Sequence, residues 1–67
     1  MFIVYAYNHI GTVHLEEYVL EEDYAITIYE TAKKCIDCES TYICDAMTGE
    51  VLREWDAVKG IESIYNS

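Results

Sequence analysis

Glu21-Glu22-Asp23-Tyr24-Ala25-Ile26-Thr27-Ile28-Tyr29-Glu30-Thr31-Ala32-Lys33-Lys34-Cys35-Ile36 is the stretch that decides the fold. Ala25, Ile28, Tyr29, Ala32, Cys35 and Ile36 recur at helical spacing and form one apolar stripe, while Asp23, Thr27, Glu30 and Lys34 fall opposite it. The three acids at the start suit the positive end of a helix dipole, and Lys33 and Lys34 suit its negative end. Glu30 and Lys34 make an i,i+4 pair in the favourable order. The spacing predicts a helix over residues 21–36 with one face to bury.

On the N-terminal side the period changes. Phe2 to Tyr7 is an unbroken run of apolar and aromatic residues, the composition of a strand buried on both faces. Asn8-His9-Ile10-Gly11 reads as a turn. Thr12 to Tyr18 then alternates, Val13 and Leu15 against His14 and Glu16, as a half-exposed strand closing an antiparallel hairpin would. On the C-terminal side, Thr41 to Asp45 and Glu50 to Trp55 read as a second hairpin. Asp45 there starts the turn through its side chain, and Gly49 supplies the left-handed residue that closes it. From Asp56 onward, Ala57, Val58, Ile61, Ile64 and Tyr65 lie near helical spacing, which predicts a short terminal helix interrupted at Gly60. The expected architecture is α+β, an antiparallel sheet of about four strands in the order β-β-α-β-β with one helix on one face. Residues 1–67 read as a single domain without internal repeats or linkers.

With 67 residues and no proline, such a domain buries only about 60% of the surface its unfolded chain exposes. Three cysteines cannot all pair, so a disulfide framework is not expected to supply the missing stability. Hydrophobic residues reach 52% of the chain, including seven tyrosines, more than one small core absorbs. One helix covers one face of the sheet, so a homodimer or a partner is expected to cover the other.

Thirteen Asp and Glu face four Lys and Arg, a net charge of −9, and residues 1–32 contain no Lys or Arg. Such a field repels nucleic acid and anionic membrane and attracts basic surfaces. Direct nucleic-acid binding and membrane association are therefore not expected. The N-terminal apolar run lacks the basic flank and cleavage site of a signal peptide and is too short to cross a bilayer. With an odd number of cysteines, it places the chain in a reducing cytoplasm.

Among motifs with chemistry, Cys35-Ile36-Asp37-Cys38 followed by Cys44 suggests a zinc site completed by His9 or His14. Against it stand the missing second CxxC, the missing knuckle glycine and the place of Cys35 in the apolar stripe. A redox CxxC belongs at a helix N-terminus, whereas this one follows a C-terminus. The sequence contains no nucleophile elbow, phosphate loop or calcium loop. Neither catalysis nor a bound cofactor is expected.

The run Tyr42-Ile43-Cys44-Asp45-Ala46-Met47-Thr48-Gly49-Glu50-Val51-Leu52-Arg53-Glu54-Trp55 resembles the Asp-x-x-Thr-Gly-Glu hairpin of very small phage and prophage proteins. In those it follows a first strand and an acidic-to-basic helix, as here. The resemblance implies a phage-type inhibitor of the anti-CRISPR or anti-defence kind, acting in the cytoplasm of a bacterial host. Its partner would be a host protein with a basic nucleic-acid-binding surface, met by DNA-mimicking carboxylates. Glu16, Glu17, Glu21, Glu22, Asp23 and Glu30 are the acids expected to make that contact, with Tyr18 and Tyr24 as aromatic anchors. Alternatives are a homodimeric structural or regulatory module acting through an apolar sheet face, and a small zinc-binding module using Cys35, Cys38, Cys44 and His14.

Overall fold

The computed structural model describes residues 1–65. Its elements are β1 (Phe2–Asn8), β2 (Val13–Val19), α1 (Glu22–Lys33), β3 (Cys38–Asp45), β4 (Val51–Asp56) and β5 (Ile61–Ile64). The strands form one sheet in the order β2-β1-β3-β4-β5, every neighbouring pair antiparallel. The α+β class and the single helix agree with the sequence reading. The strand count is five, not about four, and the terminal helix is replaced by β5.

Alternation along β1 sorts the sheet into two faces. Phe2, Val4 and Ala6 point to α1, in register with Val19, Glu17 and Leu15 on β2 and with Asp45, Ile43 and Thr41 on β3. Val4, Val19 and Ile43 pack with Ala25 and Tyr29 of the helix, with Leu52 and Trp55 around them. Ala6, Cys38 and Ala32 form the other end of this core. Thr41 is fully buried, and its Oγ1 donates a 2.7 Å hydrogen bond to the Tyr5 carbonyl. That bond answers the cost of enclosing a hydroxyl.

The helix stops at Lys33, short of the expected Ile36. The amides of Lys34 and Cys35 bond back to the carbonyls of Thr31 and Ala32, so the last turn tightens. Cys38 must then enter β3 against Ala6 and Ala32, which leaves Ile36 at 89% exposure. The predicted Glu30–Lys34 pair is likewise replaced, by Lys33 to Glu30 at 3.2 Å.

The error at the C-terminus has a local cause. Asp56-Ala57-Val58-Lys59-Gly60 builds the same turn as Asp45-Ala46-Met47-Thr48-Gly49, a repeat that the sequence reading passed over. Asp45 Oδ1 accepts from the amides of Met47 and Thr48, at 2.8 and 3.3 Å, and the Gly49 amide bonds the Asp45 carbonyl. Asp56 Oδ1 accepts from Val58 and Lys59 at 2.9 and 3.0 Å, and the Gly60 amide bonds the Asp56 carbonyl. Both glycines have positive φ, 76° and 66°. The helical spacing from Ala57 to Tyr65 thus mixes two turn residues with strand residues. Gly60→Ala meets no steric neighbour, so its cost is backbone strain alone. It should lower stability by roughly 1–2 kcal/mol, read as a shift in urea midpoint at unchanged slope.

Strand β5 is clamped to the helix. Tyr29, fully buried, donates its hydroxyl to Glu62 Oε2 at 2.7 Å. Lys33 Nζ donates to the same oxygen at 2.7 Å and stands 5.4 Å from the centroid of the Tyr29 ring. Hydrogen bonds from Lys33 and then Tyr29 hold the Glu62 carboxyl below the usual carboxylate range. A depressed folded value means that this contribution is complete above the unfolded carboxylate pKa, about 4.3, and is lost as pH falls through the folded value. Stability should therefore decline on acidification, and Glu62→Gln should flatten that limb of a pH–stability curve from urea melts.

Candidate partner-binding surface

The second face of the sheet has no helix over it. Register places three rows of side chains across it. Tyr18, Ile3, Cys44 and Val51 form one; Glu16, Tyr5, Tyr42, Glu54 and Ser63 the next; Tyr7, Ser40, Asp56 and Ile61 the third. The middle row is two phenols flanked by two carboxylates, each side chain one strand spacing, about 4.8 Å, from the next. Tyr7 lies diagonal to Tyr42, their ring centroids 5.9 Å apart at 75°, an edge-to-face contact.

Hydrogen bonds fix the carboxylates of that row. Tyr18 donates its hydroxyl to Glu16 Oε2 at 2.9 Å, two residues along the same strand face. Tyr65 donates to Glu54 Oε1 at 2.6 Å. Each carboxylate can accept several hydrogen bonds, so each keeps acceptor capacity for an incoming donor. Tyr18 and Tyr65 are raised above the usual tyrosine range chiefly by their bonds to Glu16 and Glu54. Tyr5 is raised by desolvation and then by the nearby Glu16 charge. The face therefore presents aromatic rings and carboxylates, with its negative charge confined to the acids.

The acids singled out in the sequence do not share one surface. Glu16 and Tyr18 lie on the open face, whereas Glu17, in register with Val4, projects on the helix side at the sheet edge. Glu21, Glu22, Asp23 and Tyr24 are exposed around the start of α1, with Glu21 as its N-cap residue. Glu30 is paired with Lys33. Tyr18 and Tyr24 both line a shallow cleft, with Val19, Leu20 and Glu21.

The sequence reading missed Tyr5, Tyr7, Tyr42 and Glu54. A signal was present: in Val4-Tyr5-Ala6-Tyr7 and Thr41-Tyr42-Ile43, tyrosines with polar tips alternate with residues that fit a close-packed core. In β1 both sets are apolar, so the run from Phe2 to Tyr7 reads as buried on both faces.

The zinc ligands are divided by the sheet. Cys38 is buried on the helix side and donates its thiol to the Ser40 carbonyl, while Cys44 lies in the open-face row beside Ile3. His14 Nε2 stands 3.8 Å from Cys35 Sγ, and His9 Nε2 is 3.2 Å from the Ile36 carbonyl oxygen. Among the described residues, no three His, Cys, Asp or Glu side chains group to hold a metal ion. A cleft of about 610 Å³ at one end of the sheet is lined by Glu22, Asp45, Glu50, Arg53 and Tyr65 together with apolar residues. No helix among the described residues is long and apolar enough to cross a membrane. Comparison with protein-family models, curated proteins and solved structures returned no match to this chain.

Proposed function

We propose that this chain is a non-enzymatic binding protein whose partner is a protein with a basic, nucleic-acid-handling surface. The observation that carries the reading is the distribution of charge. Glu16, Glu17, Glu21, Glu22 and Asp23 are all exposed, and no Lys or Arg precedes Lys33 in the sequence. Lys33 itself is committed to Glu30 and Glu62. Exposed carboxylates of this kind, distributed over the sheet edge and the helix start, compete with nucleic acid for Lys/Arg grooves, because they stand where the groove expects phosphates. The resemblance of the Asp45–Glu50 turn to small phage proteins supports a host enzyme or defence complex as the target, and inhibition by occlusion as the outcome.

The test is fluorescence anisotropy of a labelled oligoarginine peptide against the folded protein. Binding should be measurable at about 0.01 M salt and nearly lost at about 1 M, as the Debye length falls from roughly 30 Å to roughly 3 Å. Absence of binding at low salt, or equal binding of an oligoglutamate peptide, contradicts the reading.

A further inference from the structure

From the open sheet face we infer a more specific contact: it is a docking site for an arginine-bearing, extended segment of the partner, whose guanidinium groups stack on Tyr5 and Tyr42 between Glu16 and Glu54. This rests on the reading of the chain as a binder of basic protein surfaces and says which face does the binding and which cation it selects.

Three features support guanidinium over other occupants. The middle row combines what guanidinium uses, aromatic rings for stacking and, on either side of them, carboxylates for paired N–H donors. Its carboxylates are held in place by Tyr18 and Tyr65, so little ordering remains to be done on binding. The row is neither a dry apolar patch nor a solvated acid cluster. Burial of its rings removes water from around the acids, which strengthens the ion pairs they make.

Charge separates this occupant from a second copy of the chain. A two-fold contact through the open face would bring Glu16, Glu54 and Asp56 toward their counterparts. Three of the four cations lie elsewhere: Arg53 is in register with Ile43 on the helix side, Lys33 is bound to Glu62 and Lys34 caps the helix. Lys59, in the β4–β5 turn, lines a cleft with Tyr42, Glu54 and Asp56, and one lysine per copy leaves the three acids of each copy in excess. Stacked nucleic-acid bases would also suit the rings, but their phosphates would meet the same carboxylates.

The experiment measures two peptides of identical length, one alternating Arg and Ser and the other Lys and Ser, against wild type and three variants. Tyr5→Leu with Tyr42→Leu removes the stacking faces; Glu16→Gln with Glu54→Gln removes the charge without changing shape; Glu22→Lys with Asp23→Lys reverses the helix start. Circular dichroism confirms that each variant is folded, and the Gln pair keeps the test valid if the Leu pair misfolds. The expected result is tighter binding of the arginine peptide by several-fold, and a loss of roughly tenfold in either open-face variant, the equivalent of about 1.4 kcal/mol. The helix-start variant should weaken binding less than either. Arginine binding that survives both open-face changes but fails in the helix-start variant overturns the inference and leaves the general reading standing. If neither peptide binds wild type, both fall. Tighter binding of a single-stranded oligonucleotide than of the arginine peptide, dependent on Tyr5 and Tyr42, also overturns it.

Discussion

Tyr29→Ala is expected to leave the chain largely unfolded at room temperature. The ring is fully buried at the centre of the helix–sheet interface, packed with Val4, Val19, Ala25 and Ile43. Removing a buried aromatic side chain costs about 3–5 kcal/mol, from lost transfer energy and the cavity left behind. A domain of this size has a total stability of only roughly 3–10 kcal/mol. The hydroxyl adds to the loss, because Glu62 and Lys33 would keep each other but lose the group that ties them to the core. Tyr29→Phe separates the two contributions. It should retain a cooperative transition at a stability lower by about 1–2 kcal/mol, since the Glu62 carboxylate loses one donor but remains partly in contact with water. Far-ultraviolet circular dichroism with urea titration measures both variants.

The second large effect contrasts two adjacent residues of β3. Ile43→Ala should cost about 2–5 kcal/mol, because Ile43 is 1% exposed against the helix and its neighbours cannot close the gap. Tyr42→Ala, one residue away on the other face, removes a larger side chain but should cost only roughly 1 kcal/mol. What it loses is mainly cross-strand contact, including the edge-to-face contact with Tyr7. Equilibrium urea unfolding of the pair gives the difference directly. A large difference in this direction means that the open face contributes little to folding, which frees its tyrosines for a partner. Equal costs would mean that this face is a structural core in its own right.

Much of the fold was legible before any coordinates. The stripe placed Ala25, Ile28, Tyr29, Ala32 and Cys35 against the core, because a helix that packs on one side only must repeat near 3.6 residues, but it also took in Ile36, which lies past the helix end and is exposed. Asp45 and Gly49 marked the second hairpin because their turn demands a side-chain acceptor at one end and positive φ at the other. The same pair of demands at Asp56 and Gly60 went unrecognised, since Ile61 and Ile64 three residues apart mimic a helical period. Only pairing with β4, and the reach of Glu62 to Tyr29, make that segment a strand, and both are tertiary facts. The candidate site was legible in charge but not in place. Acids from Glu16 to Glu30 are continuous along the chain, yet the pleat sends Glu16 and Glu17 to opposite faces and Glu30 is paired with Lys33. The middle row depends on register across five strands, which no single segment encodes.

The central claim is that the open face of the sheet receives a cationic partner, and chemical-shift mapping by NMR addresses it most directly. Uniformly ¹⁵N-labelled protein titrated with the arginine peptide should show its largest amide shifts at Ile3, Tyr5, Tyr42, Cys44 and Glu54, with Asp23, Thr27 and Thr31 of the helix nearly unmoved. Shifts concentrated on the exposed side of the helix, with the β1 and β3 amides unchanged, would contradict it.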